Sequence, residues 1–173
     1  MPVIQRIAPC LWFDSQAEEA ATFYVSIFKN SKITSVARYG KAGQDVHKRP
    51  VGSVMTVAFE LDGQAFTALN GGPIFKFNEA ISLQVNCDSQ EQVDYYWNRL
   101  AAGGDPKAQQ CGWLKDKYGL SWQVVPTVLP EMLKDHESAK AQRAMEALLR
   151  MKKIDIRELE HATGELAAPG QRH

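Results

Sequence analysis

The chain has 173 residues, 45% hydrophobic and 23% charged, enough for one domain or two small modules without disulfide or metal staples. Lys and Arg number 20 and Asp and Glu 20, so net charge offers no case for nucleic acid or an anionic membrane as partner. No apolar run approaches the ~18 residues of a membrane span, and the opening MPVIQRIAPCLWFD turns polar too soon for a signal peptide, so a cytoplasmic protein is expected.

Ile4 to Phe13 reads as a first strand. Asp14 opens a helix with Ser15 and Glu18 as an S-x-x-E capping box. Ala20, Phe23, Tyr24, Ile27 and Phe28 follow at helical spacing, and Asn30-Ser31 ends it. Ile33 to Tyr39 is a second strand. Gly40 to Ser53 is a loop carrying His47, Lys48 and Arg49, placed to close over the mouth of a site. Val54 to Leu61 and Gln64 to Leu69 flank Asp62-Gly63, a hairpin signal because both turn positions need positive φ.

After Asn70-Gly71-Gly72-Pro73 the pattern recurs. Ala80 to Cys87 alternates, with Ile81, Leu83 and Val85 on one face and Ser82, Gln84 and Asn86 on the other. Asp88-Ser89-Gln90 repeats Asp14-Ser15-Gln16, and Ser89 with Gln92 forms a second capping box. Val93, Tyr96, Trp97 and Leu100 match the first helix, and Gly103-Gly104 stops the second. Gln109 to Leu114, a solvated turn at Asp116 to Gly119 that carries Lys115, Asp116 and Lys117, and Leu120 to Val125 complete the copy. This is a paired module, not a solenoid array. Beyond Pro126, Pro130 opens a short helix. Ala139 to Met151 is a longer one with Ala141, Met145, Leu148 and Leu149 as its stripe, and Asp155 caps a third. Residues 164–173 read as a disordered tail.

Cys10, Cys87 and Cys111 form no C-x-x-C and read as small buried hydrophobes. His47, His136, His161 and His173 all fall outside the predicted strands, so a multi-histidine metal site on a sheet is not available. There is no P-loop, G-x-S-x-G or H-E-x-x-H. No Gly-rich turn joins an early strand to a helix, as nucleotide-type cofactors require.

The strings PCLWFDSQAEEAATFY, LNGGPIFKFNEAISLQVNCDSQEQVDYYWNRL and CGWLKDKYGLSWQVVP, with the helical ending AQRAMEALLRMKKIDI, resemble the PhnB-like branch of the vicinal oxygen chelate superfamily. That superfamily includes glyoxalases and bleomycin-resistance proteins, and this branch is often labelled 3-demethylubiquinone-9 3-methyltransferase. The resemblance covers about residues 4 to 160. It implies an α+β fold: two βαβββ modules forming a cupped mixed sheet, with C-terminal helices. The expected layout is one domain over 1–163, made of module 4–76, module 77–126 and helices 127–163, assembled as a homodimer.

Alternation leaves Ala8, Cys10 and Trp12 of the first strand facing the cup, with Ala80, Ser82 and Gln84 in the second module. Matching the metalloenzyme pattern of the superfamily puts its first-strand ligand positions at Ala8 and Ala80. Its later positions fall at Asn70 or Ala68 and at Gln123. Alanine cannot bind a metal and an amide is a weak ligand, so no metal and no cofactor are expected. The candidate ligand-binding residues are Trp12, Asn70, Trp113 and Gln123, with Cys10, Ser82 and Gln84 nearby, a set suited to a small, partly apolar molecule. The expected function is therefore metal-free binding of a small metabolite. The alternatives are an isomerase, lyase or transferase, for which Glu79 is the nearest carboxylate, and the methyltransferase of the label, which the missing Gly-rich loop disfavours.

Overall fold

A computed structural model describes residues 4–165. The chain divides into two compact units between Phe77 and Asn78. The class is α+β, with one mixed sheet in each unit.

The first unit runs β1 (Cys10–Phe13), α1 (Ala17–Ile27), β2 (Lys32–Arg38), α2 (Gln44–His47), β3 (Val54–Leu61) and β4 (Gln64–Asn70). The sheet order is β1-β4-β3-β2, with β1 parallel to β4 and the other pairs antiparallel. Asp62 and Gly63 both take positive φ between β3 and β4, as the hairpin reading requires. One sheet face packs on α1: Leu11, Phe13, Val57, Phe59, Phe66 and Ala68 are buried with Ala17, Ala20, Ala21, Tyr24 and Ile27. The three alanines keep that helix face low, so the helix can lie close to the sheet and Tyr24 can stack on Phe59.

Two expectations fail in this unit. The first strand is four residues long; residues 4–9 lie ahead of it, with the Pro9 carbonyl accepting a backbone bond from β4. The Ser15/Glu18 box does not form. The N-cap is Gln16, without a side-chain cap. Asn70 does that work from β4, its Oδ1 accepting from Ala17 N at 2.8 Å while its Nδ2 donates to Val54 O at 3.1 Å. A buried amide that satisfies two backbone groups displaces a weaker local cap. The loop 40–53 contains α2, and its side chains contact the rest of the unit. Arg49 donates to Asp14 O at 2.6 Å, Tyr39 Oη donates to Asn70 O at 2.6 Å, and His47 packs on the Tyr39 ring.

The second unit runs β5 (Leu83–Cys87), α3 (Gln90–Ala101), a 3-10 turn (Pro106–Ala108), β6 (Trp113–Lys115), β7 (Ser121–Pro126), α4 (Val128–Leu133), α5 (Ala139–Leu148) and α6 (Ile156–Thr163). Its sheet order is β5-β7-β6, with β5 parallel to β7. The topology of the first unit is repeated with one strand missing. The strand read over Gln109 to Leu114 forms only at its end, as β6; ahead of it a bridge joins Gln110 to Trp113. The backbone there turns to the C-terminal segment instead, Cys111 N donating to Met151 O and Gly112 N to Lys152 O. Ala80 to Ser82 also lie outside β5.

Local capping is as read in this unit. Ser89 accepts from Gln92 N, while Gln92 Oε1 accepts from Asp88 N. Asp155 caps α6 by accepting from Glu158 N. The turn at 116–119 is not a solvated one. Asp116 is 2% exposed; its Oδ1 accepts from Tyr118 N and Leu120 N and its Oδ2 from the Trp122 indole. The buried stripe of α5 is Ala141, Ala144, Ala147 and Leu148; Met145 and Leu149 are exposed. That face joins Leu129, Met132, Met151, Ile154 and Leu159 in a helical core, with Cys111 and Val125 against it. Gly164 closes α6 in the left-handed region, and Glu165 pairs with Lys140, so these two residues are ordered. The remainder of the expected tail, 166–173, lies outside the described residues. Of the cysteines only Cys87 is buried; Cys10 is exposed and Cys111 half-buried.

Candidate functional site

Strand register fixes which side chains share the sheet faces away from the helices. In the first unit one row runs Cys10, Thr67, Ala58, Ser35 and the next runs Trp12, Leu69, Thr56, Ala37. Trp12 is half-buried. Its indole N–H donates to Gly72 O at 2.9 Å, and its ring meets Phe75 edge-on at 4.9 Å. The ring lies so close over Gly71 that a Cβ there would sit 2.1 Å away, so only glycine fits. Trp12 therefore offers a ring face, its one donor already used. Burial pushes the Cys10 thiol pKa up, which lowers its thiolate fraction and its nucleophilicity.

Asn70 is not on this face. It shares the helix side with Phe66 and Ala68 and is 5% exposed. It lines a groove of about 410 Å³ with Ser15, Glu18, Arg49, Pro50, Ser53 and Val54, yet both its amide atoms are committed to backbone. The sequence reading ends this strand at Leu69 and counts Asn70 among the cup residues; β4 includes Asn70, and its alternation with Phe66 and Ala68 turns it to the helix side.

The second unit brings four expected residues together. Gln84, Gln123 and Trp113 form one row across β5, β7 and β6. Ser82 stands just ahead of β5 and accepts a hydrogen bond from Gln123 Nε2 at 2.9 Å. Gln84 Nε2 donates to Asn86 Oδ1 at 2.9 Å. The neighbouring row pairs Lys115 with Ser121, and Lys115 also binds Glu79. That ion pair holds the Glu79 carboxyl below its ordinary pKa. Ser121 is 1% exposed, and among the described residues its hydroxyl has no hydrogen-bond partner. Lys115 and Ser121 were not among the expected binding residues. The signal was present: Lys115 is two residues from Trp113 and Ser121 two from Gln123, the same-face spacing of a strand. The result is a face of amides and hydroxyls beside one cation and one indole ring.

A family model described as 3-demethylubiquinone-9 3-methyltransferase matches residues 5–125. The PhnB protein from Bacillus cereus is 36% identical, covering 71% of this chain and 100% of that one, with a TM-score of 0.60. The chain belongs to this family. It is a PhnB-like protein, as the sequence strings imply. Two further solved structures share the fold. Protein PA1353 from Pseudomonas aeruginosa is 20% identical, covering 71% of this chain and 98% of that one, with a TM-score of 0.55. The fosfomycin resistance protein FosX from Listeria monocytogenes, complexed with Mn(II) and sulfate, is 16% identical, covering 78% and 99%, with a TM-score of 0.51. No curated protein matches.

Such a relative raises the question of a metal. In this PhnB-like chain Ala8 and Ala80 are exposed ahead of their strands, and Ala68 and Asn70 lie on the helix side. Gln123 alone of the matched positions is on the polar face, and its amide nitrogen is bound to Ser82. Around it stand hydroxyls, amides, a lysine and one carboxylate already paired with that lysine. This donor set does not fit a divalent cation, which seeks several anionic oxygens or imidazoles. A nucleotide-type cofactor fits no better at the first strand-to-helix turn. That turn is Asp14-Ser15-Gln16, and the first helical N–H, Ala17 N, already donates to Asn70. Among the described residues no helix is long and apolar enough to cross a membrane.

Proposed function

We propose that this PhnB-like protein binds a small, partly apolar metabolite on the polar face of the second sheet, without a metal. The observation that supports this most directly is the row Gln84, Gln123, Trp113, with Ser82 bonded to its middle member. Amides and hydroxyls fix a ligand's orientation, and an indole ring supplies apolar contact area. Proton abstraction is poorly served: Glu79 is paired with Lys115, which lowers its basicity. The test is native mass spectrometry of the purified protein and of Gln123→Leu. A small molecule retained by the first and lost by the second supports the reading. A retained molecule that survives the substitution, or none under any growth condition, counts against it. Titration with S-adenosylmethionine separates the methyltransferase alternative, for which saturable heat at millimolar ligand is the signature.

The proposal includes a two-fold homodimer. Every residue of β2 is exposed although the strand lies at its sheet's edge, and Ile33 and Val36 are among its exposed apolar side chains. Open edges invite pairing. A stable interface would bury more than ~1,200 Å². Light scattering at tens of micromolar protein decides this, and a monomer there removes the dimer.

A further inference from the structure

The second sheet holds a buried hydroxyl that nothing in its surroundings explains. Ser121 is 1% exposed and, among the described residues, its Oγ has no partner. Buried hydroxyls without a bond are costly and uncommon. Its strand neighbour across the pair is Lys115, whose side chain is 26% exposed and whose charge is met by Glu79. Glu79 itself is 64% exposed in its side chain and lies in the turn ahead of β5, not in the sheet. An unpartnered hydroxyl is therefore paired across the strands with a half-buried lysine whose counter-ion is largely exposed to solvent. The next row begins with Trp113.

We propose that Lys115 and Ser121 form an oxyanion subsite, occupied by the carboxylate or phosphonate-type group of the metabolite, with Glu79 as the counter-ion it displaces and Trp113 receiving the adjoining apolar body. This rests on the reading that the polar face binds the ligand, and it names the ligand's charge. Exchange of one carboxylate for another anion leaves the net charge at Lys115 unchanged, so binding needs no uncompensated buried charge. The hydroxyl supplies the second donor that the ammonium cannot place at the same angle, which favours an oxyanion over a neutral carbonyl.

The experiment uses the full chain and three probes sharing a phenyl ring: benzoate, phenylphosphonate and the neutral benzamide, read by Trp113-dependent fluorescence and amide chemical shifts. One or both anions should bind about tenfold tighter than benzamide, and which of them leads tells carboxylate from phosphonate. Ser121→Ala should erase that preference while leaving the protein at least as stable, since it removes an unsatisfied group. Lys115→Gln should erase it too. Glu79→Gln should tighten the anions severalfold, because their competitor is gone. Anions no tighter than benzamide, or weakened by Glu79→Gln, overturn the subsite and leave the wider reading standing if benzamide still shifts Gln84 and Gln123. No response to any probe overturns the subsite, while the retained-molecule measurement decides the wider reading separately.

Discussion

The two units share a strand–helix–strand plan and secure it in opposite ways. In the first unit the helix start is capped by a residue distant in sequence, Asn70 at the end of the neighbouring strand reaching Ala17 across 53 residues. In the second unit the equivalent start is capped by Ser89 three residues away, and the β6–β7 turn is locked by Asp116 within six. The sheet edges reverse this. β2 completes the first sheet from a nearby segment, whereas the corresponding stretch of the second is bonded by residues 151 and 152. Two copies of one plan thus need different side chains at matching positions.

The comparison is broken most sharply in the C-terminal helices. Leu148 is buried in their core and its neighbour Leu149 is 57% exposed. Leu148→Lys should cost about 3 kcal/mol or more, by cavity and charge burial together, while Leu149→Lys should leave the urea midpoint within about 0.5 kcal/mol. Equal losses would show that Leu149 is covered in solution. Asp116→Ala comes next. It strands two backbone N–H groups and the Trp122 indole, so about 3 kcal/mol should be lost, with a change in tryptophan fluorescence. The two caps then sharpen the contrast: Asn70→Ala should cost about 2 kcal/mol and Ser89→Ala about 1 kcal/mol in the same urea series. The reverse order would mean that the distant cap is dispensable.

The smallest effect is one of pH. Asp94 on α3 has its pKa lowered by Lys153 and then by Gln90, the same Gln90 whose Oε1 accepts from Ile156 N. A lowered folded pKa contributes stability above the unfolded value, near 3.8, and loses it as pH falls through the folded one. Asp94→Asn should flatten the stability curve below about pH 4 and change little at neutrality, because the Lys153 pair is partly exposed. An unchanged acid limb would place the lost protons elsewhere.

The fold class and most elements were legible because they rest on short-range signals: alternation in β5 and β7, Asp62-Gly63 at a hairpin, Ser89 and Asp155 at helix starts. The family strings carried the module plan. What sequence could not show was competition. The Ser15/Glu18 box is a sound local signal that loses to Asn70, and the strand pattern over Gln109 to Leu114 keeps its end in β6 but loses Cys111 and Gly112 to the C-terminal backbone. Both winners lie tens of residues away. At the site, Ser82 and Gln84 were read from alternation and Gln123 from the family pattern, and strand register puts Gln84 and Gln123 in one row with Trp113. Asn70 was put on the wrong face, and Ser121 was passed over because its missing partner is visible only in three dimensions.

The bonds from residues 111 and 112 to residues 151 and 152 also set an order of events during synthesis. All the strands and helices of the first unit have been made once residue 77 has emerged, so it can become compact on the nascent chain. The second must wait. Until some forty more residues leave the ribosome, its half-made sheet exposes two backbone donors and the apolar side chains that α5 and α6 will cover. The interval before the chain is finished is when this protein is most open to aggregation and to capture by chaperones.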